Sequence, residues 1–72
     1  MEFKLTEEFI TLSQLLKTMN IVSSGGEAKV LIQSGLVKVN QTICTQRGKK
    51  IRAGDKVQVE RELNKVNIEV LG

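Results

Sequence analysis

The chain has 72 residues, with 11 basic and 8 acidic side chains and a formal net charge of +3. Leu, Val, Ile and Phe account for 24 of the 72 residues, or one third, well above the ~20% level below which chains tend to be disordered. We therefore expect a single small folded domain that covers residues 1–72. The lack of histidine and the presence of one cysteine argue against most catalytic sites and against a multi-cysteine metal site. We predict that the protein is not an enzyme and holds no metal or cofactor.

The sequence shows no feature typical of a membrane or secreted protein. No apolar run approaches the ~18 residues that span a bilayer. The first residues also lack the basic and then apolar segments of a signal peptide. We therefore expect a cytoplasmic location without membrane association.

The first predicted element is a short strand over residues 2–5, followed by a helix over residues 12–19. Thr11 and Gln14 have the spacing of a capping box at the helix start. Apolar residues then recur on one helical face, at Leu12, Leu15, Leu16 and Met19. Asn20 is a suitable left-handed residue to end this helix.

A second helix is predicted to begin after Ser24. Ser24 and Glu27 again have capping-box spacing, and Glu27 complements the positive end of the helix dipole. The same apolar spacing follows at Ala28, Leu31, Ile32 and Gly35, with Gly35 at the position of a C-terminal glycine.

After Gly35 the apolar period changes from helical spacing to two. Strands are predicted at residues 37–39, 42–44, 57–59 and 66–70, with Ile51 in a further extended stretch. Asn40 and Gln41 form the turn of the first hairpin. A strand, two helices and then three or four strands indicate an α+β fold. We expect the two aromatic residues, Phe3 and Phe9, to belong to the core.

Positive charge is concentrated in the middle of the chain. Residues 29–56 contain seven of the eleven basic side chains and one of the eight acidic ones. This distribution is compatible with a surface that binds a polyanion or with a set of solvated lysines. Charge alone does not decide between these two interpretations.

Several residues of this segment could form one basic surface. Lys29 and Gln33 are four apart on the second helix, away from its apolar stripe. Lys38 points opposite to its valine neighbours, and four more cations follow at Arg47, Lys49, Lys50 and Arg52. If the second helix packs on the hairpin, these side chains would surround one face that neutralises phosphates.

Ser23, Ser24, Gly25 and Gly26 precede or open the second helix. Free N–H groups and small side chains at this point could receive a phosphate oxygen. The simpler explanation, which we favour, is that Ser24 caps the helix and the glycines relieve crowding. With two aromatic residues in all, both expected in the core, a stacking surface for single-stranded bases is not predicted.

Taken together, these segments resemble the S-four RNA-binding domain, named after a protein of the small ribosomal subunit. The resemblance spans about residues 10–60 and is carried by Ser23–Lys29, Leu31-Ile32, Gly35, Val37–Asn40, Arg47–Ile51 and Gly54–Val57. It is strongest to small stand-alone bacterial members. It implies two helices on a small, mainly antiparallel sheet, the alpha-L RNA-binding motif.

The resemblance also implies a non-catalytic protein that binds structured RNA, and we expect a monomer. Ribosomal or transfer RNA is favoured, and a role in ribosome assembly or translation follows, with a ribosomal or RNA-processing protein as a further partner. By position, Lys29, Lys38, Asn40, Arg47, Lys49 and Lys50 match the RNA-binding residues of the family. Two positions depart from it: glycines replace the basic residue after the serine, and the hairpin turn is Asn-Gln instead of Asn-Gly.

An interaction with another protein remains an alternative function. If the final strand, Val66–Leu71, lies exposed at the sheet edge, it could pair with a strand of a partner. Docking of a partner on another part of the surface would serve equally.

Overall fold

Two helices and seven strands make up the described part of the chain. The computed structural model describes residues 1–61 and 64–72. In chain order the elements are β1 (Glu2–Lys4), β2 (Ile10–Thr11), α1 (Leu12–Thr18), α2 (Gly25–Gln33), β3 (Val37–Val39), β4 (Thr42–Ile43), β5 (Lys50–Ile51), β6 (Lys56–Arg61) and β7 (Asn64–Leu71). The predicted α+β class is confirmed.

The strands form a five-stranded sheet in the order β1-β7-β6-β3-β4 and a two-stranded sheet of β2 and β5. Only the β1–β7 pair of the described strands is parallel, so the sheet is mainly antiparallel, as expected. β7 lies between β1 and β6, and both of its edges are therefore paired. The condition for edge pairing through Val66–Leu71 is therefore not met, because the N-terminal strand β1 covers the edge of β7 that faces away from β6.

The core lies between the helices and one face of the larger sheet. The buried residues include Leu12, Leu15, Leu16, Ala28 and Ile32 from the helices and Val37, Val39, Val57, Val59, Ile68 and Val70 from the sheet. Because side chains alternate along a strand, the residues between these valines point to the other face. Lys38, Gln58 and Asn67 lie side by side there, in adjacent strands. We call this surface the uncovered sheet face.

α1 begins and ends as its sequence predicts. The Thr11 side chain accepts from the backbone N–H of Gln14, and the Gln14 side chain accepts from the N–H of Thr11, both at 3.4 Å. Asn20, just past the C-cap residue Met19, has a φ of 59°. The capping box and the left-handed stop are both confirmed.

The start of α2 differs in one detail from the predicted capping box. Ser24 is the N-cap, and its side chain accepts from the N–H of Glu27 at 3.2 Å. The Glu27 carboxylate reaches Ser23 instead of Ser24, accepting from its hydroxyl at 2.8 Å and its N–H at 3.4 Å. The carboxylate binds Ser23 because that residue offers it two donors, the hydroxyl and the backbone N–H. At the other end Gly35 has a φ of +78°, as a C-terminal glycine should.

The two phenylalanines have different environments. Phe3 packs against the core, as predicted. Phe9 lies outside the hydrophobic cluster of the described residues and is half-buried among charged side chains. The prediction that both rings are core residues is therefore wrong for Phe9, because Ile10, its neighbour, takes the inward position on β2.

Candidate nucleic-acid interface

Four of the predicted site residues lie on the segment that leads into and out of β5. We call Arg47, Lys49, Lys50 and Arg52 the basic loop; all four are exposed. The backbone of this segment is bound to the start of α1. The N–H of Leu12 donates to the carbonyl of Lys49 at 2.9 Å, and that of Ser13 donates to the carbonyl of Arg47 at 3.1 Å. The basic loop is thus held in place by its backbone, while its charged side chains are exposed on the surface.

The same two bonds satisfy backbone N–H groups in the first turn of α1. N–H groups in the first turn of a helix have no partner within the helix. Here carbonyls of the basic loop accept from two of them, and the Thr11 side chain accepts from a third. An anion near this end of α1 would therefore meet the cations of the basic loop, whose side chains are the available groups.

Phe9 lies beside two residues of the basic loop. The Lys50 ammonium is 4.9 Å from the centre of the Phe9 ring, and the Arg52 guanidinium carbon is 5.8 Å from it. The pairing of Ile10 with Ile51 brings these side chains together, since Phe9 and Arg52 both adjoin that pair. Sequence reasoning missed this contact because the pairing of two-residue strands leaves no periodic signal.

An acidic residue also touches the basic loop. The Arg52 guanidinium is 3.3 Å from a carboxylate oxygen of Glu8, and both side chains are largely exposed, at 51% and 80%. Exposed ion pairs of this kind contribute little, ~0–1 kcal/mol. The pair therefore competes only weakly with a phosphate for Arg52.

Lys29 and Gln33 lie on the outer surface of α2, as predicted. Both are exposed, whereas Ala28 and Ile32 of the same helix are fully buried. Lys38 does not share this surface. It lies on the uncovered sheet face, and both helices pack against the opposite face. The expectation of one continuous face that unites Lys38 with α2 is corrected, because the sheet separates them.

Asn40 joins the hairpin turn to the turn before β6. Its amide nitrogen donates to Asp55 at 3.0 Å, and its amide oxygen accepts from the N–H of Lys56 at 2.9 Å. The second carboxylate oxygen of Asp55 accepts from the N–H of Arg52 at 2.8 Å. Asn40 is therefore linked through Asp55 to the backbone of the basic loop.

Ser23 and Ser24 are exposed and take part in the cap of α2, as described above. The two glycines that follow have no crowding to relieve. A Cβ built on Gly25 has no neighbour within 4 Å, and one on Gly26 meets only the Ser24 hydroxyl, at 3.9 Å. The capping role of Ser24 is confirmed, whereas the steric explanation for the glycines is not supported.

A second surface feature is an open groove of about 830 Å³ between α2 and the β6–β7 pair. Its apolar lining comprises Val22, Val30, Leu31, Leu36 and Val66. Val30 is 67% exposed. At one side the Arg61 guanidinium donates to the carbonyl of Ile21 at 2.6 Å, which fixes the β6 end against the turn before α2.

Neither helix within residues 1–61 and 64–72 is long and apolar enough to cross a bilayer. The same ranges hold no group of three or more His, Cys, Asp or Glu side chains positioned to share a metal ion.

Comparison with known proteins identifies the family. The S4 domain family model matches residues 3–68, nearly the whole chain. The chain belongs to the S4 domain family. This is the S-four domain whose motifs the sequence resembles, and the match extends beyond residues 10–60 to include most of β1 and most of β7.

Two known proteins are similar to this S4 domain chain. One is the "Probable ribosome maturation protein RlbA" of Bacillus subtilis (strain 168), 42% identical over 53 residues, or 74% of this chain and 75% of that protein. The other is Heat Shock Protein 15 of Vibrio cholerae, described as a trimeric structure, with a TM-score of 0.78 and 15% identity. That match covers 90% of this chain but 65% of the Vibrio chain, and it supports the fold alone.

Proposed function

We propose that this S4 domain protein binds structured RNA without catalysing a reaction, in ribosome assembly or translation. Ribosomal RNA is the favoured target, with transfer RNA next, in the cytoplasm and as a monomer. The family membership and the name of the Bacillus relative support a role connected with ribosomes. The observation that carries the proposal is the basic loop, in which exposed cations stand on a backbone fixed to α1.

The basic loop suits phosphates better than bases. Lys and Arg side chains that neutralise phosphates release counterions, which supplies affinity without a requirement for sequence. The duplex regions of RNA expose phosphates and 2′-hydroxyls, while their bases are hard to reach. A preformed loop also loses less entropy on binding than a flexible one. We therefore assign the main phosphate contacts to Arg47, Lys49, Lys50 and Arg52.

The other predicted residues have secondary roles in this proposal. Lys29 and Gln33 extend the contact along α2, and Ser23 and Ser24 border it at the helix start. Asn40 acts by positioning, since both ends of its amide are already bound within the protein. Lys38 makes a peripheral contact from the uncovered sheet face.

A charge-reversal pair tests the basic loop. In the double variant Lys49→Glu/Lys50→Glu we expect affinity for ribosomal RNA fragments to fall at least about a hundredfold, at roughly tenfold per contact. The matched control is Lys4→Glu/Lys65→Glu, which changes net charge equally at exposed positions of β1 and β7. Circular dichroism and thermal unfolding establish that both variants are folded.

The control variant separates an effect of the basic loop from an effect of net charge. If both double variants lose affinity equally, net charge and not the basic loop carries the binding. If neither loses affinity, phosphate binding by the basic loop is refuted. Crosslinking in cells followed by sequencing then names the RNA, and discrete crosslink positions on one RNA are expected.

A protein partner is the second candidate function, and the apolar groove beside α2 favours it. Edge pairing through β7 is no longer part of this alternative, because β7 is an interior strand. Surface docking on exposed Val30 and its neighbours remains. A protein that stays bound to the purified chain after nuclease treatment, and is lost on Val30→Asp, would support this function.

A further inference from the structure

The half-buried ring of Phe9 has no role in the core of the described residues. Large apolar side chains stabilise a small domain mainly when they are buried. Phe9 instead stands next to the exposed cations Lys50 and Arg52, at 4.9 and 5.8 Å. Its position therefore calls for an explanation other than packing.

The contacts around Phe9 are weak and easily exchanged. Cation–π contacts at exposed sites and exposed ion pairs each contribute little to folding. The Glu8–Arg52 pair is of the second kind. A ligand with a flat group for the ring and a phosphate for the cations could replace these contacts with little loss of free energy.

Space next to the ring is also present. Phe9 lines an open groove of about 380 Å³ that runs toward α1. Gln14, Lys17 and Thr18 of α1 line the same groove. Donors and acceptors near an aromatic ring are the groups that contact the edge of a stacked base.

We propose that Phe9 stacks on one unpaired nucleobase of the bound RNA, while Lys50 and Arg52 hold the phosphate next to that base. This inference rests on the proposed RNA-binding function and narrows its ligand class. Bases within a regular duplex are stacked on each other and cannot present a face to Phe9. The preferred RNA is therefore a helix interrupted by a bulge, a loop or an end.

The absence of other fluorophores makes the proposal directly testable. The sequence contains no Trp or Tyr, so Phe9→Trp introduces a single tryptophan. Three RNA hairpins serve as probes: one with a single bulged adenosine, one with an abasic residue at the bulge, and one fully paired. We expect the bulged adenosine to quench the tryptophan and the abasic hairpin to quench it much less.

Affinities of the unlabelled protein provide the second readout. By fluorescence anisotropy, wild type should bind the bulged-adenosine hairpin roughly fivefold or more tightly than the abasic one, the size expected for one stacked base. Phe9→Leu, which keeps an apolar side chain, should remove this preference and leave affinity for the paired hairpin unchanged. Thermal unfolding checks that Phe9→Leu is folded, and Phe9→Trp gives an independent test if it is not.

The possible results separate this proposal from the broader one. Equal affinity of wild type for all three hairpins, with equal quenching, overturns base stacking and leaves phosphate binding intact. An equal loss of affinity for all hairpins on Phe9→Leu overturns it as well, since Phe9 would then only hold the cations in place. Failure of wild type to bind any hairpin overturns both proposals.

Discussion

Two polar surfaces of the molecule carry cations in different settings. The basic loop has four within six residues, on a backbone bound to α1. On the uncovered sheet face Lys38 lies in a row with the amides Gln58 and Asn67. The loop can present several cations to neighbouring phosphates, whereas the cations of the sheet face are interspersed with acids, as Lys56 is paired with Glu69. In the proposed function, a cluster of cations on a fixed backbone therefore binds phosphates better than cations dispersed among acids.

The largest expected effect lies at Asn40, which connects the β3–β4 hairpin to the basic loop. Asn40→Ala removes two side-chain hydrogen bonds and leaves alanine at a φ of 51°. We expect the free energy of unfolding to fall by about 2 kcal/mol. Urea denaturation measures this change.

Asn40→Gly is the matched control, because glycine adopts the same φ without strain. Asn40→Gly should lose less stability than Asn40→Ala. The loss that Asn40→Gly still shows is due to the two missing hydrogen bonds. If neither variant changes the free energy of unfolding by more than the experimental error, the proposed link between the β3–β4 hairpin and the basic loop is contradicted.

Single charge reversals compare the two surfaces directly. Lys49→Glu should lower RNA affinity about tenfold, because one phosphate contact becomes a repulsion. Lys38→Glu carries the same change in charge, and we expect a loss of only about twofold, because the contact of Lys38 is peripheral and screened by salt. Anisotropy titrations with one RNA hairpin measure both variants. Similar losses for the two would mean that the distinction between the surfaces is wrong.

The hairpin turn offers a stability test that should not affect binding. Gln41 has a φ of 72°, which is unfavourable for a residue with a side chain, and turns of this type prefer glycine at that position. Gln41→Gly should stabilise the fold by about 1 kcal/mol. RNA affinity should stay unchanged, because Gln41 lies outside the basic loop. Lower stability would show that the glutamine side chain has a stabilising contact of its own.

The smallest expected effect concerns Glu8, the acidic neighbour of Arg52. Glu8→Gln removes a negative charge 3.3 Å from the guanidinium. Affinity for RNA should rise about twofold at low salt, since an exposed pair is weak and screened. Glu2→Gln, at the exposed start of β1, is a matched control that should change affinity less. Weaker binding on Glu8→Gln would indicate that Glu8 orients Arg52.

Local signals predicted the helices well and the surface only in part. The caps at Thr11 and Ser24 and the stops at Asn20 and Gly35 follow from side-chain chemistry that acts within a few residues. The periodicity also identified which residues of α1 and α2 are buried. Such signals are contained in adjacent residues and need no knowledge of the rest of the fold.

The larger errors concern relations between distant segments. Phe3 of β1 pairs with Val70 of β7, 67 positions later in the chain, and no local pattern specifies that parallel pair. Phe9 lies beside Lys50 and Arg52 because Ile10 pairs with Ile51. Strands of two residues are too short for their pairing to be predicted from the sequence. The side on which Lys38 lies depends on where the helices pack. Each of these facts required the tertiary structure.

The central claim is that the basic loop neutralises RNA phosphates, and the salt dependence of binding tests it most directly. The logarithm of affinity should fall with the logarithm of salt concentration by roughly 0.7 to 0.9 per phosphate neutralised. We predict a smaller slope for Lys49→Glu/Lys50→Glu than for wild type, with Lys4→Glu/Lys65→Glu unchanged. Equal slopes for wild type and the basic-loop variant would contradict the account.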